Sequence, residues 1–138
     1  MSRFEIVNPE ALGAPRGYNN GMLAPEGGRV LFVAGQVGWD GRQQLAGESF
    51  VEQFEQALRN VVAVVETAGG SGADLGRLTI YVVDRGDYAA QLPAVGAAYR
   101  RVLGRHFPAM ALVEVAGLLE AGAKVEIEAT AVLAPRGK

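Results

Sequence analysis

Cysteine is missing from all 138 residues, which excludes disulfides, thiolate chemistry and cysteine-ligated metal sites. A single histidine, His106, is too few for a histidine-ligated metal centre within one chain. It sits beside Phe107 after a helical run, where a helix C-terminus favours a cation. Charge is sparse as well. Charged residues make up 20% of the chain and the net charge is −2. With no basic cluster, nucleic-acid binding has no electrostatic support; Arg100, Arg101 and Arg105 are more simply a solvated helix face. No apolar run approaches the ~20 residues of a membrane-spanning helix. Met1-Ser2-Arg3 leads straight into a strand-like run with no apolar leader, which predicts a cytoplasmic protein. Internal repeats and low-complexity segments are also lacking.

The chain does have apolar content, 49% by residue. Its length suits one compact domain spanning residues 1–138. Apolar surface beyond what one small core needs points to an oligomer.

Arg3-Phe4-Glu5-Ile6-Val7 alternates polar and apolar and stops at Asn8-Pro9, as a short strand does. Residues 10–21 carry four glycines or prolines among polar residues and read as a long loop, of a kind that often serves function. Gly27-Gly28 predicts a hairpin turn joining Met22-Leu23-Ala24 to Arg29-Val30-Leu31-Phe32-Val33. Gly35 and Gly38 then mark close approach by another backbone or a ligand. Ser49 and Glu52 form a capping box. Phe50, Phe54, Leu58, Val61 and Val65 follow at helical steps, up to Gly69-Gly70. Leu78 to Val83 is a β-branched, buried strand. Asp84 to Asp87 is a turn. A second helix is predicted from Tyr88 to Arg105, kinked at or beginning near Pro93.

The last two strands, Phe107 to Val115 and Lys124 to Ala129, are the most informative. Two helices cover only one face of a sheet. Alternation assigns Met110, Leu112 and Glu114, with Lys124, Glu126 and Glu128, to the other face. Carboxylates on a hidden sheet face are costly unless something there needs them. That face is predicted to pack against other subunits.

Asn8-Pro9, Gly17-Tyr18, Phe32-Val33-Ala34-Gly35-Gln36, the helix Gln53 to Ala68, Leu78 to Val82, Pro108-Ala109, Val113-Glu114-Val115 and Val125-Glu126-Ile127-Glu128-Ala129 occur in one order and spacing. In these the chain resembles the Rid proteins (YjgF-like, reactive-intermediate deaminases) over nearly its whole length. The resemblance implies an α+β, chorismate-mutase-like fold: a mixed sheet with two helices on one face, assembled as a homotrimer with clefts between neighbouring subunits. It implies hydrolysis of enamines and imines, such as 2-aminoacrylate, to a carbonyl compound and ammonia, without a metal or organic cofactor. Typical members carry arginine directly after Pro-Ala, to clamp a substrate carboxylate. Here that residue is Met110, whose thioether cannot make the bidentate contact. Ala34 stands for a usual serine and Leu112 for a usual cysteine. The chain thus looks like an arginine-less branch.

Glu126 is the candidate catalytic residue, orienting the attacking water as a general base. The bland alternative pairs it with Lys124 or an interface arginine. Gly35 permits close approach of substrate. Tyr18 suits an aromatic lid on a scaffolded loop. Met110 suits an apolar pocket wall. Glu114 either lines the cleft or pairs at an interface. Asn20, with Asn19, suits turn hydrogen bonds or ligand contact. Arg16 is a candidate displaced cation, and Trp39 more simply packs. The expected partner is a small-molecule substrate or ligand, with no nucleic acid and no membrane. A trimeric small-molecule binder or sensor without turnover is the alternative function; an accessory protein docking on a metabolic enzyme is another. The lack of a basic groove argues against ribonuclease activity.

Overall fold

The computed structural model describes residues 3–137. Two sheets form. Strands β1 (Glu5–Val7) and β2 (Gly21–Leu23) pair antiparallel in a small two-stranded sheet. Strands β3 (Arg29–Val37), β4 (Leu75–Val82), β5 (Ala109–Glu114) and β6 (Val125–Leu133) form the main sheet in the order β3-β6-β4-β5. The sheet is mixed: β4 and β5 are parallel, the other pairs antiparallel.

Helix α1 (Phe50–Thr67) begins where the capping box predicts. The Ser49 hydroxyl accepts from the Glu52 amide at 3.1 Å, and the Glu52 carboxylate accepts from the Ser49 amide. Its apolar stripe, Phe50, Phe54, Leu58, Val61 and Val65, is buried against the sheet. The predicted second helix is two: α2 (Arg85–Ala89) and α3 (Leu92–Leu103). Pro93 lies in the first turn of α3, where its missing N–H costs nothing. Asp84 caps α2 by accepting from the Gly86 amide at 2.8 Å, so the expected turn at 84–87 is a helix start. Among the described residues no helix is long and apolar enough to cross a membrane.

Two expectations fail. The Gly27-Gly28 hairpin does not form, because β2 pairs with β1 rather than β3. The Gly28 amide closes a turn on the Pro25 carbonyl at 3.2 Å. A Cβ at Gly28 would run into Val132 of β6. The glycine admits the passing strand, and the turn sends the chain from one sheet to the other.

The second failure is the phase of β5. Leu78, Ile80 and Val82 of β4 lie opposite Met110, Leu112 and Glu114, and paired residues share a face. The three β4 side chains belong to the core, and Met110 and Leu112 pack against it. These β5 residues therefore point toward the helices. Glu126 and Glu128 of β6 lie opposite Tyr81 and Thr79, on the uncovered face. Charge suggested one face for all the carboxylates. Burial of the methionine and leucine sets the opposite phase.

Candidate functional site

The uncovered face carries a compact polar group. Glu126, half-buried, lies directly over Gly35 of β3, so closely that a Cβ at position 35 would overlap its carboxylate. A bulge between Val33 and Gln36 shifts the β3–β6 register at this point. Among the described residues, no cation lies within ion-pair distance of Glu126. The expected alternative partner, Lys124, forms no ion pair with it among the described residues; the Lys124 backbone N–H donates to the Gln53 side chain at 2.8 Å. Beside Glu126 stands Tyr81. Its partial burial first, then the Glu128 carboxylate and Glu126, hold the phenol above its usual pKa. It stays a neutral donor facing two carboxylates.

The Tyr18 loop wraps the start of β5. Asn19 donates its side-chain amide to the Phe107 carbonyl at 2.6 Å and its backbone N–H to the Pro108 carbonyl at 3.3 Å. The Asn8 side-chain amide donates to the Asn19 side-chain oxygen at 2.8 Å, and the Asn20 backbone N–H donates to Asn8 Oδ1 at 2.7 Å. This ladder divides the loop across β5. Tyr18 and Asn20 enter a cavity of about 270 Å³ that also takes in Arg77, Thr79, Ala109 and Ala111 on the uncovered face. Gly17 enters a second cavity of about 330 Å³, on the helix side, walled by Tyr88, Leu92, Val95, Tyr99, Phe107 and Met110. Arg100 is the one charged residue lining it.

The candidates therefore separate. Glu126 and Gly35 meet at the centre of the open face. Tyr18 and Asn20 sit at its β5 edge. Met110 lines the helix-side cavity and also borders the cavity that takes in Tyr18 and Asn20. Glu114 is drawn to α2, where its carboxylate accepts from the Arg85 amide at 2.9 Å. Neither cavity includes Glu126 or Gly35, and Arg16 lines neither. Trp39 is tied into the fold, its carbonyl accepting from Asn60 at 2.9 Å. His106 is likewise structural, bonded through Nε2 to the Leu75 carbonyl at 2.7 Å. Sequence reasoning missed Tyr81, Arg77 and Arg100. The period-two alternation Arg77, Thr79, Tyr81 was the signal for two of them. Arg100 was hidden among the arginines of a solvated helix face. Arg101 does belong to that face, pairing with Glu55 at 2.6 Å.

Fold and site define an α+β protein with a mixed four-stranded sheet, two main helices on one face and a carboxylate over a glycine on the other. The family model described as Endoribonuclease L-PSP matches residues 9–133, and the chain belongs to that family, the Rid or YjgF family. A human protein named 2-iminobutanoate/2-iminopropanoate deaminase is 30% identical over 136 residues, covering 98% of this chain and 93% of its own. A Salmonella typhimurium protein of the same name is 37% identical, covering 76% and 80%. In structure, a Yersinia pestis member of the Rid family, YyfB, superposes with a TM-score of 0.80 at 33% identity, covering 94% of this chain and 98% of that one.

Proposed function

We propose that this chain hydrolyses an enamine or imine to a carbonyl compound and ammonia, with Glu126 guiding the water. The observation that carries the reading is the Glu126 carboxylate, half-buried over Gly35 and with no cation in ion-pair range among the described residues. A structural ion pair would have used that charge. An unpaired carboxylate is a ready acceptor for a water proton. As the water oxygen bonds to the imine carbon and the C=N π bond breaks, the water's proton passes to Glu126, which hands it on to the nitrogen. The resulting carbinolamine passes its hydroxyl proton through Glu126 to the amine, its C–N bond breaks, ammonia leaves and the carbonyl remains. Relatives named as iminobutanoate and iminopropanoate deaminases support this chemistry.

The proposal includes a homotrimer of chorismate-mutase-like fold with the site between subunits. Glu126 and the helix-side cavity lie on opposite faces of one sheet, so one ligand meets both only if they come from two protomers. The open face also carries Phe32 at 80%, Val30 at 57% and Val113 at 43% exposure, apolar surface suited to cover by a second copy. Ammonia release from enzymatically generated 2-iminopropanoate and a panel of bulkier imines tests the reaction. The Glu126→Gln variant is expected to lose release while keeping the wild-type sedimentation coefficient. Release unchanged by that substitution removes Glu126 from the mechanism. No release from any imine overturns the deaminase reading and leaves ligand binding without turnover. A monomer at micromolar concentration overturns the trimer.

A further inference from the structure

The cavity between α3 and β5 has an apolar wall and one cation. Tyr88, Leu92, Phe107 and Met110 supply the wall. The Tyr99 hydroxyl that borders it is already satisfied, donating to the His106 carbonyl at 2.6 Å. Arg100 is different. Its Nη1 lies over Gly96, one turn earlier on α3, in space that a Cβ at 96 would reach to 3.4 Å. The guanidinium thus lies back along the helix at the cavity wall. Neighbouring Arg101 is committed to Glu55 through three hydrogen bonds. Arg100 pairs with no carboxylate among the described residues.

We infer that this cavity takes a monocarboxylate with a branched or aromatic apolar body, its carboxylate held by Arg100. Position 110 carries no cation; Arg100 places one beside Met110 in this apolar-walled cavity, and Arg77 places one in the cavity on the open face that Met110 also borders. A guanidinium matches a carboxylate in geometry as well as charge. The apolar wall sets the rest of the ligand: a body larger than a methyl or ethyl group, packed on Met110 and the aromatic rings. The volume, about 330 Å³, falls at the small end of ligand cavities. Under the proposed function, on which only the substrate's identity rests, the substrates are 2-imino acids with branched or aromatic side chains.

Binding tests this apart from turnover. 3-Phenylpropanoate and its uncharged amide, 3-phenylpropanamide, are titrated into the assembled protein and followed by backbone NMR shifts. The acid is expected to bind more tightly than the amide and to shift residues of α3 and β5. Arg100→Gln should weaken the acid roughly tenfold or more, the loss of one charge-assisted contact, and leave the amide unchanged. Arg100→Lys should recover part of the loss. Glu126→Gln should lose turnover yet keep the preference for acid over amide, so lost turnover and lost binding are told apart. Acid binding unchanged in Arg100→Gln overturns the inference. So does binding lost in Arg77→Gln instead, which would place the carboxylate in the cavity on the open face.

Discussion

At the scale of single residues, the contact between Gly35 and Glu126 decides most. No other residue type fits under that carboxylate without moving it. Gly35→Ala is therefore expected to preserve the fold and lower kcat at least tenfold, because a displaced base no longer meets the water. Steady-state ammonia release with circular dichroism checks this; full activity in Gly35→Ala would mean the carboxylate position is not critical. Both residues were legible in the sequence, the glycine as a break in a strand and the glutamate as a charge in an alternating one. Tyr81 was not, because β4 reads as β-branched and buried along its whole length. Only its pairing with β6, which lies more than forty residues further on, shows which side chains face Glu126. Arg100 and Arg101 are adjacent and alike in sequence. What separates them is a carboxylate on another helix, Glu55 of α1.

At the scale of elements, α1 is held at its start and along its flank. Beyond the capping box, the side chain of Gln53, 1% exposed, donates to the Gly47 and Gly122 carbonyls at 3.0 and 3.2 Å and accepts from Lys124 at 2.8 Å. It fastens the loops before α1 and before β6 to one helix. Gln53→Leu keeps the volume but removes the partner of three backbone groups that are half-buried or exposed, and should cost about 1–3 kcal/mol. Ser49→Ala removes one cap and should cost about 1 kcal/mol. Urea unfolding ranks the two; equal losses would mean that Gln53 contributes no more than a cap. The helix was legible because capping and periodicity are local signals. The β1–β2 pairing was not, since its partners lie across a loop while Gly27-Gly28 offered a nearer, wrong partner. The phase of β5 was misread for a related reason. Alternation says which residues share a face, and only packing against α3 says which face it is.

For the whole molecule, the buried and half-buried phenols set a limit on the alkaline side. Burial raises Tyr99 well above the ordinary tyrosine value of 10.0, and Tyr81 is raised too. The folded protein keeps protons that the unfolded chain releases. Their contribution to stability is thus complete below about pH 10 and falls as pH rises through the folded values. Tyr99→Phe starts less stable, having lost its bond to His106, but should lose less between pH 9 and pH 11. Urea midpoints across that range measure it; parallel curves for wild type and variant would show that Tyr99 ionisation is not what destabilises the fold.

The alternation along β5 has one more consequence. Positions 110 and 112 meet the helices, while 109, 111 and 113 meet the open face. Neighbouring positions in the gene thus answer to different selective demands. A change at 110 alters the wall of the helix-side cavity, while a change at 113 alters the open face. Such a strand lets chemical preference drift from lineage to lineage while the shared architecture stays fixed.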